Sequence, residues 1–197
     1  MNQRIVDHFK TSAQTALASA ELLADDILRA SRAILETLEN GGKLLLCGNG
    51  GSATDAMHFS AELLVRFQKE RKALPAIALV SDTATLTATG NDYSFDQIFS
   101  RQIDALATPG DHLVVITTSG NSPNILTAVQ AARKKEDIGI TALTGRDGGA
   151  LASMLDQGDY ELRIPSDSTA RIQEAHAIII HCICDLVELH TTGKLKL

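Results

Sequence analysis

The chain has 197 residues, 44% of them hydrophobic, and a formal net charge of −6 at neutral pH. That length suits one domain around a single substantial core, and the composition excludes disorder. An acidic balance without a basic cluster excludes nucleic acid as the primary ligand, and no apolar run approaches the ~20 residues needed to cross a bilayer.

The opening "MNQRIVDHFKTSAQ" lacks the apolar core of a secretory signal, so a cytoplasmic protein without a membrane partner is expected. The first forty residues read as two helices. Ile5, Phe9 and Ala13 form one stripe and Ile27, Ala30, Ile34 and Leu38 another, with Asn40-Gly41-Gly42 as the stop. Strand candidates follow at 43–48, 76–80, 112–118, 138–145 and 159–165, with helical patterns near 54–67, 95–106, 123–134 and 149–155. Near-continuous apolar strands alternating with helices predict an α/β fold with a doubly wound, mostly parallel five-stranded sheet. The division is therefore one domain over 1–197: helices over 1–40, the α/β core and a long C-terminal helix over 41–190, and a frayed tail over 191–197. Lys69, Glu70, Arg71 and Lys72 read as a solvated turn. Cys47, Cys182 and Cys184 read as buried, reduced thiols.

In such sheets ligands bind beyond the carboxyl ends of the strands. The loop after the first strand, "CGNGGSATDAMHF", combines glycines that allow close backbone approach with Ser52 and Asp55 at capping-box spacing. It can offer helix N-terminal amides to an anion, or be a plain tight turn. The loop after the third strand, "TTSGNSPN", gathers the hydroxyls of Thr117, Thr118, Ser119 and Ser122 at a helix start, with Pro123 suited to its first position. Downstream of the first loop, His58, Glu62 and Arg66 recur every four residues along one stripe of a mostly apolar helix. A His/Glu pair at that spacing can bind a metal ion, set a base beside a proton carrier, or simply hydrogen-bond on a solvated face. The C-terminal "IQEAHAIIIHCICDL" is apolar all round, yet it holds Gln173, Glu174, His176 and His181, which must find partners.

Taken together, "CGNGGSATDAMHFSAELLVRF", "GNDYSF", "ITTSGNSPN", "ALTGRDGG" and "RIQEAHAIIIHCICDLV" resemble the phosphoheptose isomerases of the sugar-isomerase (SIS) domain family. The resemblance spans nearly all of the chain from Asn40 to Val187. It implies a cytoplasmic homotetramer converting sedoheptulose 7-phosphate to D-glycero-D-manno-heptose 7-phosphate, the first step of heptose supply for lipopolysaccharide. It implies a zinc site at His58, Glu62, Gln173 and His181. Substrate contacts carry over to Asn49, Gly50, Gly51, Ser52, Glu62, Asn91, Asp92 and Gln173, and phosphate contacts to Thr117, Thr118, Ser119 and Ser122. Glu62 would act as base and His181 as the complementary acid. Thr117 stands where a serine is usual, and Ala170 where some members carry an aspartate. Two other readings stay open: a non-catalytic SIS regulatory tetramer that binds the replication initiator, and an SIS isomerase for another sugar phosphate. Gln173 and His181 lie about 12 Å apart on a straight helix, so a shared metal calls for a bend or a second subunit.

Overall fold

The computed structural model describes all 197 residues. Five parallel strands run β1 (Leu44–Gly48), β2 (Ala76–Ala78), β3 (His112–Ile116), β4 (Gly139–Gly145) and β5 (Tyr160–Ile164). Their order across the sheet is β2-β1-β3-β4-β5, and every pairing is parallel. Successive side chains of a strand point to opposite faces. Leu44 and Leu46 therefore enter one core with Phe59, Leu63, Ile172 and Ile180, while Leu45 and Cys47 enter the other with Phe99, Ile103, Ile125 and Val129. Helices α1 (Asn2–Glu39), α2 (Gly51–Leu64) and α7 (Thr169–Thr191) cover the first face. The second is covered by α4 (Ser100–Leu106), α5 (Pro123–Arg133) and α6 (Gly149–Ala152), with α3 (Thr83–Asp92) at its margin.

Several expectations are corrected. The N-terminal helical pair is one 38-residue helix. Nothing between its two apolar stripes breaks a helix, and "TALASAELLADD" is rich in strong helix formers. Only its second half is buried, from Ser19 onward; Ile5, Val6 and Phe9 are exposed in the single chain. The tail is anchored rather than frayed: the Leu197 amide donates to His190 Nδ1 and Leu197 packs on the first core. Helix α3 is unanticipated, because its run of threonines and Gly90 is poor helix material; Asp82 supplies the missing cap by accepting from the Ala84 and Thr85 amides. Cys182 is exposed on α7, two positions from the buried Cys184.

Two histidines belong to the scaffold. His112 pairs with Thr141 Oγ1 at 2.8 Å and His176 with the Thr144 carbonyl at 2.9 Å, and burial pushes each pKa down to about 4. The unfolded chain binds these protons near pH 6.5, whereas the folded chain resists until about 4. Stability is therefore fully present above about 6.5 and is lost as pH falls through that window, by roughly 3 kcal/mol per histidine. Urea midpoints measured from pH 7 downward are expected to fall steeply across it, and a flat profile would contradict this assignment.

Candidate active site

The strand order reverses direction between β1 and β3, so the loops after these strands flank a crevice at the carboxyl edge of the sheet. The β1 loop turns at Gly50 (φ +56°), which is the N-cap of α2; the helix starts at Gly51. The capping box is a correction. Ser52 is already inside the helix and buried, and Asp55 does not reach back; one of its oxygens is buried without a partner. Burial raises the Asp55 pKa, and nearby His58 offsets part of that.

Across the crevice, Asn49 and Asn124 exchange two amide hydrogen bonds of 2.8 Å each, tying the glycine loop to the start of α5. Sequence reasoning missed Asn124. Its signal was a polar residue in the first turn of an amphipathic helix, on the face that must be buried. Asn124→Ala leaves the Asn49 amide unpaired, with an expected loss of about 1–3 kcal/mol in a urea titration.

The hydroxyl loop is shaped from within. The Gly120 amide donates to Thr117 Oγ1 at 3.3 Å, the Asn121 amide to Ser119 Oγ at 3.3 Å, and the Ala150 amide to Asn121 Oδ1 at 2.9 Å. Ser122 is the N-cap of α5 without a side-chain cap bond, and Pro123 takes the first helical position as expected. Thr117 is buried and Thr118, Ser119 and Ser122 are half-buried. The hydroxyls of Thr118 and Ser122 have no partner within the chain and stand beside the first amides of an eleven-residue helix. Such a turn can hold a phosphate without a lysine.

Helices α2 and α7 run side by side with their residues in step. Gln173 lies against Gly51, and His181 lies against His58. A Cβ added at Gly51 would sit 2.6 Å from Gln173 Nε2, so Gly51→Ala should displace that amide from the glycine loop. His58 Nε2 is 3.0 Å from Glu62 Oε1 and 3.4 Å from His181 Nε2, with the two rings edge-on at 5.0 Å between centroids. The Phe67 ring backs His181 at 5.6 Å. His58, Glu62 and His181 thus meet within one chain, on two helices. Gln173 stands one loop away, seven positions before His58 on the facing helix or about 10 Å. Asn91 and Asp92 sit at the exposed end of α3, bonded to each other at 2.7 Å. Asp92 lines a separate cavity of about 600 Å³ with Tyr93 and Arg101, and no hydrogen bond within the chain joins this pair to the two loops.

As the side chains stand, no three of the chain's His, Cys, Asp and Glu residues are grouped so as to hold a metal ion. The donor chemistry nonetheless fits a cation. An imidazole nitrogen offers one hydrogen-bonding direction, donor or lone pair according to tautomer, and His58 Nε2 cannot satisfy both neighbours. Donors around a tetrahedral zinc ion, at bonds of about 2.0–2.1 Å, lie about 3.3 Å apart, and the two contacts made by His58, 3.0 Å to Glu62 and 3.4 Å to His181, straddle that spacing.

Residues 8–145 match the SIS domain model. A phosphoheptose isomerase of Shewanella sp. (strain ANA-3) is 55% identical over 188 residues, 95% of either chain. The chain belongs to the phosphoheptose isomerase family of SIS-domain proteins. Two solved members share its architecture. The Neisseria gonorrhoeae enzyme is 46% identical with a TM-score of 0.89, over 95% of this chain and 98% of its own. The one from Francisella tularensis is 49% identical with a TM-score of 0.91, over 94% and 96%. Family membership covers the glycine loop, the hydroxyl loop and both helices of the His/Glu cluster.

Proposed function

We propose that this protein is a phosphoheptose isomerase, converting sedoheptulose 7-phosphate to D-glycero-D-manno-heptose 7-phosphate as the first step toward the heptose of lipopolysaccharide. The observation that carries the reading is the contact of His58 with both Glu62 and His181 on the same helix pair that borders two anion-type loops. Identity of 55% to a curated phosphoheptose isomerase supports the substrate over the regulatory-tetramer and other-sugar readings.

A ketose–aldose isomerisation removes a proton from C1, returns one to C2 and moves a hydrogen between the two oxygens. The phosphate is assigned to Thr117, Thr118, Ser119 and Ser122 with the α5 amides. The glycine loop, Asn49 through Ser52, approaches the sugar with its backbone, and the Gln173 amide beside Gly51 orients a hydroxyl. Asn91 and Asp92 reach the sugar only if α3 closes or a neighbouring subunit supplies them. Glu62 Oε1 is engaged by His58, while its other oxygen has no partner within the chain and takes the C1 proton. His181, exposed at the mouth, is the acid or shuttle at the oxygens. His58, Glu62 and His181 would hold a zinc ion, with Gln173 as the remaining donor; when bound, such an ion supplies Lewis-acid polarisation of the carbonyl and of the enediolate.

Assembly as a cytoplasmic homotetramer is part of this reading. No helix is long and apolar enough to cross a membrane. Phe9, Leu17 and Leu22 stand 75%, 68% and 64% exposed along α1. Beside them an apolar groove runs between α1 and α7, lined by Ala16, Ala20, Ile178 and Leu186. Contiguous apolar surface of this kind calls for cover by another chain. Turnover of sedoheptulose 7-phosphate, assayed with added zinc and after exhaustive chelation, tests the proposal. Product forming only in the zinc arm is expected, undiminished turnover after chelation would remove the metal, and no turnover in either arm would remove the function.

A further inference from the structure

In the charged turn after α2, Glu70 and Lys72 are exposed as expected, but Arg71 is not. Arg71 keeps only 3% of its side chain exposed, and the Glu188 side chain on α7 keeps 2%. Glu188 accepts from the amides of Phe67 (3.2 Å), Gln68 (3.0 Å) and Lys69 (2.9 Å), and its carboxylate lies 3.8 Å from Arg71 Nε. Arg71 in turn donates to the Glu62 carbonyl at 2.6 Å and to the Leu63 carbonyl at 2.8 Å, closing the last turn of α2 where the helix dipole is negative. Burial pushes the Glu188 pKa up, but the three amides and Arg71 more than reverse this and hold it below the ordinary value, so its carboxylate stays ionised.

What the pair touches is the reaction centre. Arg71 holds the main chain of Glu62 itself. Glu188 holds the main chain of Phe67, whose ring is the wall behind His181. Glu188 also follows His181 by seven residues, two helical turns, so both face α2. A buried ion pair is seldom the most stable filling for its space, since apolar residues of similar volume often do as well. Geometry is the more economical reason for this one. We infer that Glu188 and Arg71 are positioning residues that set the spacing of Glu62 and His181 by fixing the turn between the two helices.

The inference rests on the isomerase reading of Glu62 and His181, and its test separates the two. Glu188→Gln keeps the shape and loses the charge; Arg71→Lys keeps the charge and loses the two-pronged hold on the Glu62 and Leu63 carbonyls. Both are compared with wild type in the assembled protein by melting temperature, by kcat and KM for sedoheptulose 7-phosphate, and by the imidazole NMR signals of His181 without metal. Misplacement of about 1 Å can lower turnover by about 10²-fold. A fall in kcat of tenfold or more at near-constant KM is therefore expected, together with a moved His181 signal in both variants. Folded variants with wild-type kcat and an unmoved His181 signal would overturn the inference. If Glu188→Gln does not fold, Arg71→Lys decides alone. If Glu62→Gln abolishes turnover while the turn variants retain it, the positioning role falls and the isomerase reading stands; a shifted His181 signal with Glu62→Gln fully active would do the reverse.

Discussion

Glu62→Gln is expected to lower turnover of sedoheptulose 7-phosphate by roughly 10²–10⁴-fold, the usual contribution of a general base, while KM changes little. The substitution keeps the length and shape of the side chain and its ability to accept from His58 through an amide oxygen, so the α2–α7 contact is preserved. The phosphate grip proposed above is separate from it, assigned to the hydroxyl loop and the α5 amides. A loss confined to kcat, in a variant that metal analysis shows to hold as much zinc as the wild type, therefore isolates proton transfer. Parallel loss of kcat and binding would mean instead that Glu62 holds the site together.

Gly120→Ala is expected to raise KM at least tenfold, equivalent to about 1.4 kcal/mol. Gly120 has φ +65°, and a Cβ there would run into the Gly148 carbonyl oxygen, a backbone atom that cannot turn aside. The left-handed conformation alone costs of order 1–3 kcal/mol for a residue with a side chain. Relief requires Thr117–Ser122 to move away from the Gly148–Ala150 turn, breaking the Asn121–Ala150 bond that shapes the hydroxyl loop. Gly158→Ala is the matched control. It carries similar strain at φ +106°, meets nothing within 4 Å, and belongs to the opposite edge of the sheet with Gly110 and Gly139. It should lower the melting temperature without changing KM. Equal effects on KM from the two substitutions would argue against a built anion loop.

The parts of this molecule that were legible in the sequence are those set by local periodicity. Strands buried on both faces read as apolar runs, and all five lie within two residues of where those runs suggest. His58 and Glu62 were visible as a pair because four residues make one helical turn. What could not be read depends on partners remote in the chain. Arg71 sits in a charge run typical of a solvated turn, and only the approach of Glu188, 121 positions after Phe67, buries it. Asn124 needed Asn49, 75 positions away, to reveal itself as a bridge between loops. Capping at Ser52 and Asp55 failed because Gly50 already turns the chain, letting the helix begin one residue earlier. Helix α3 was hidden by threonines whose low propensity is overridden by one aspartate cap.

Proton transfer by Glu62 is tested most directly by running the isomerisation in D₂O and following the sugar by NMR. Deuterium should enter C2 of the aldose product and exchange into C1 of the recovered ketose, and both signals should vanish with Glu62→Gln. Complete transfer of the original C1 hydrogen to C2 without deuterium, with Glu62→Gln as active as wild type, would contradict the enediolate account.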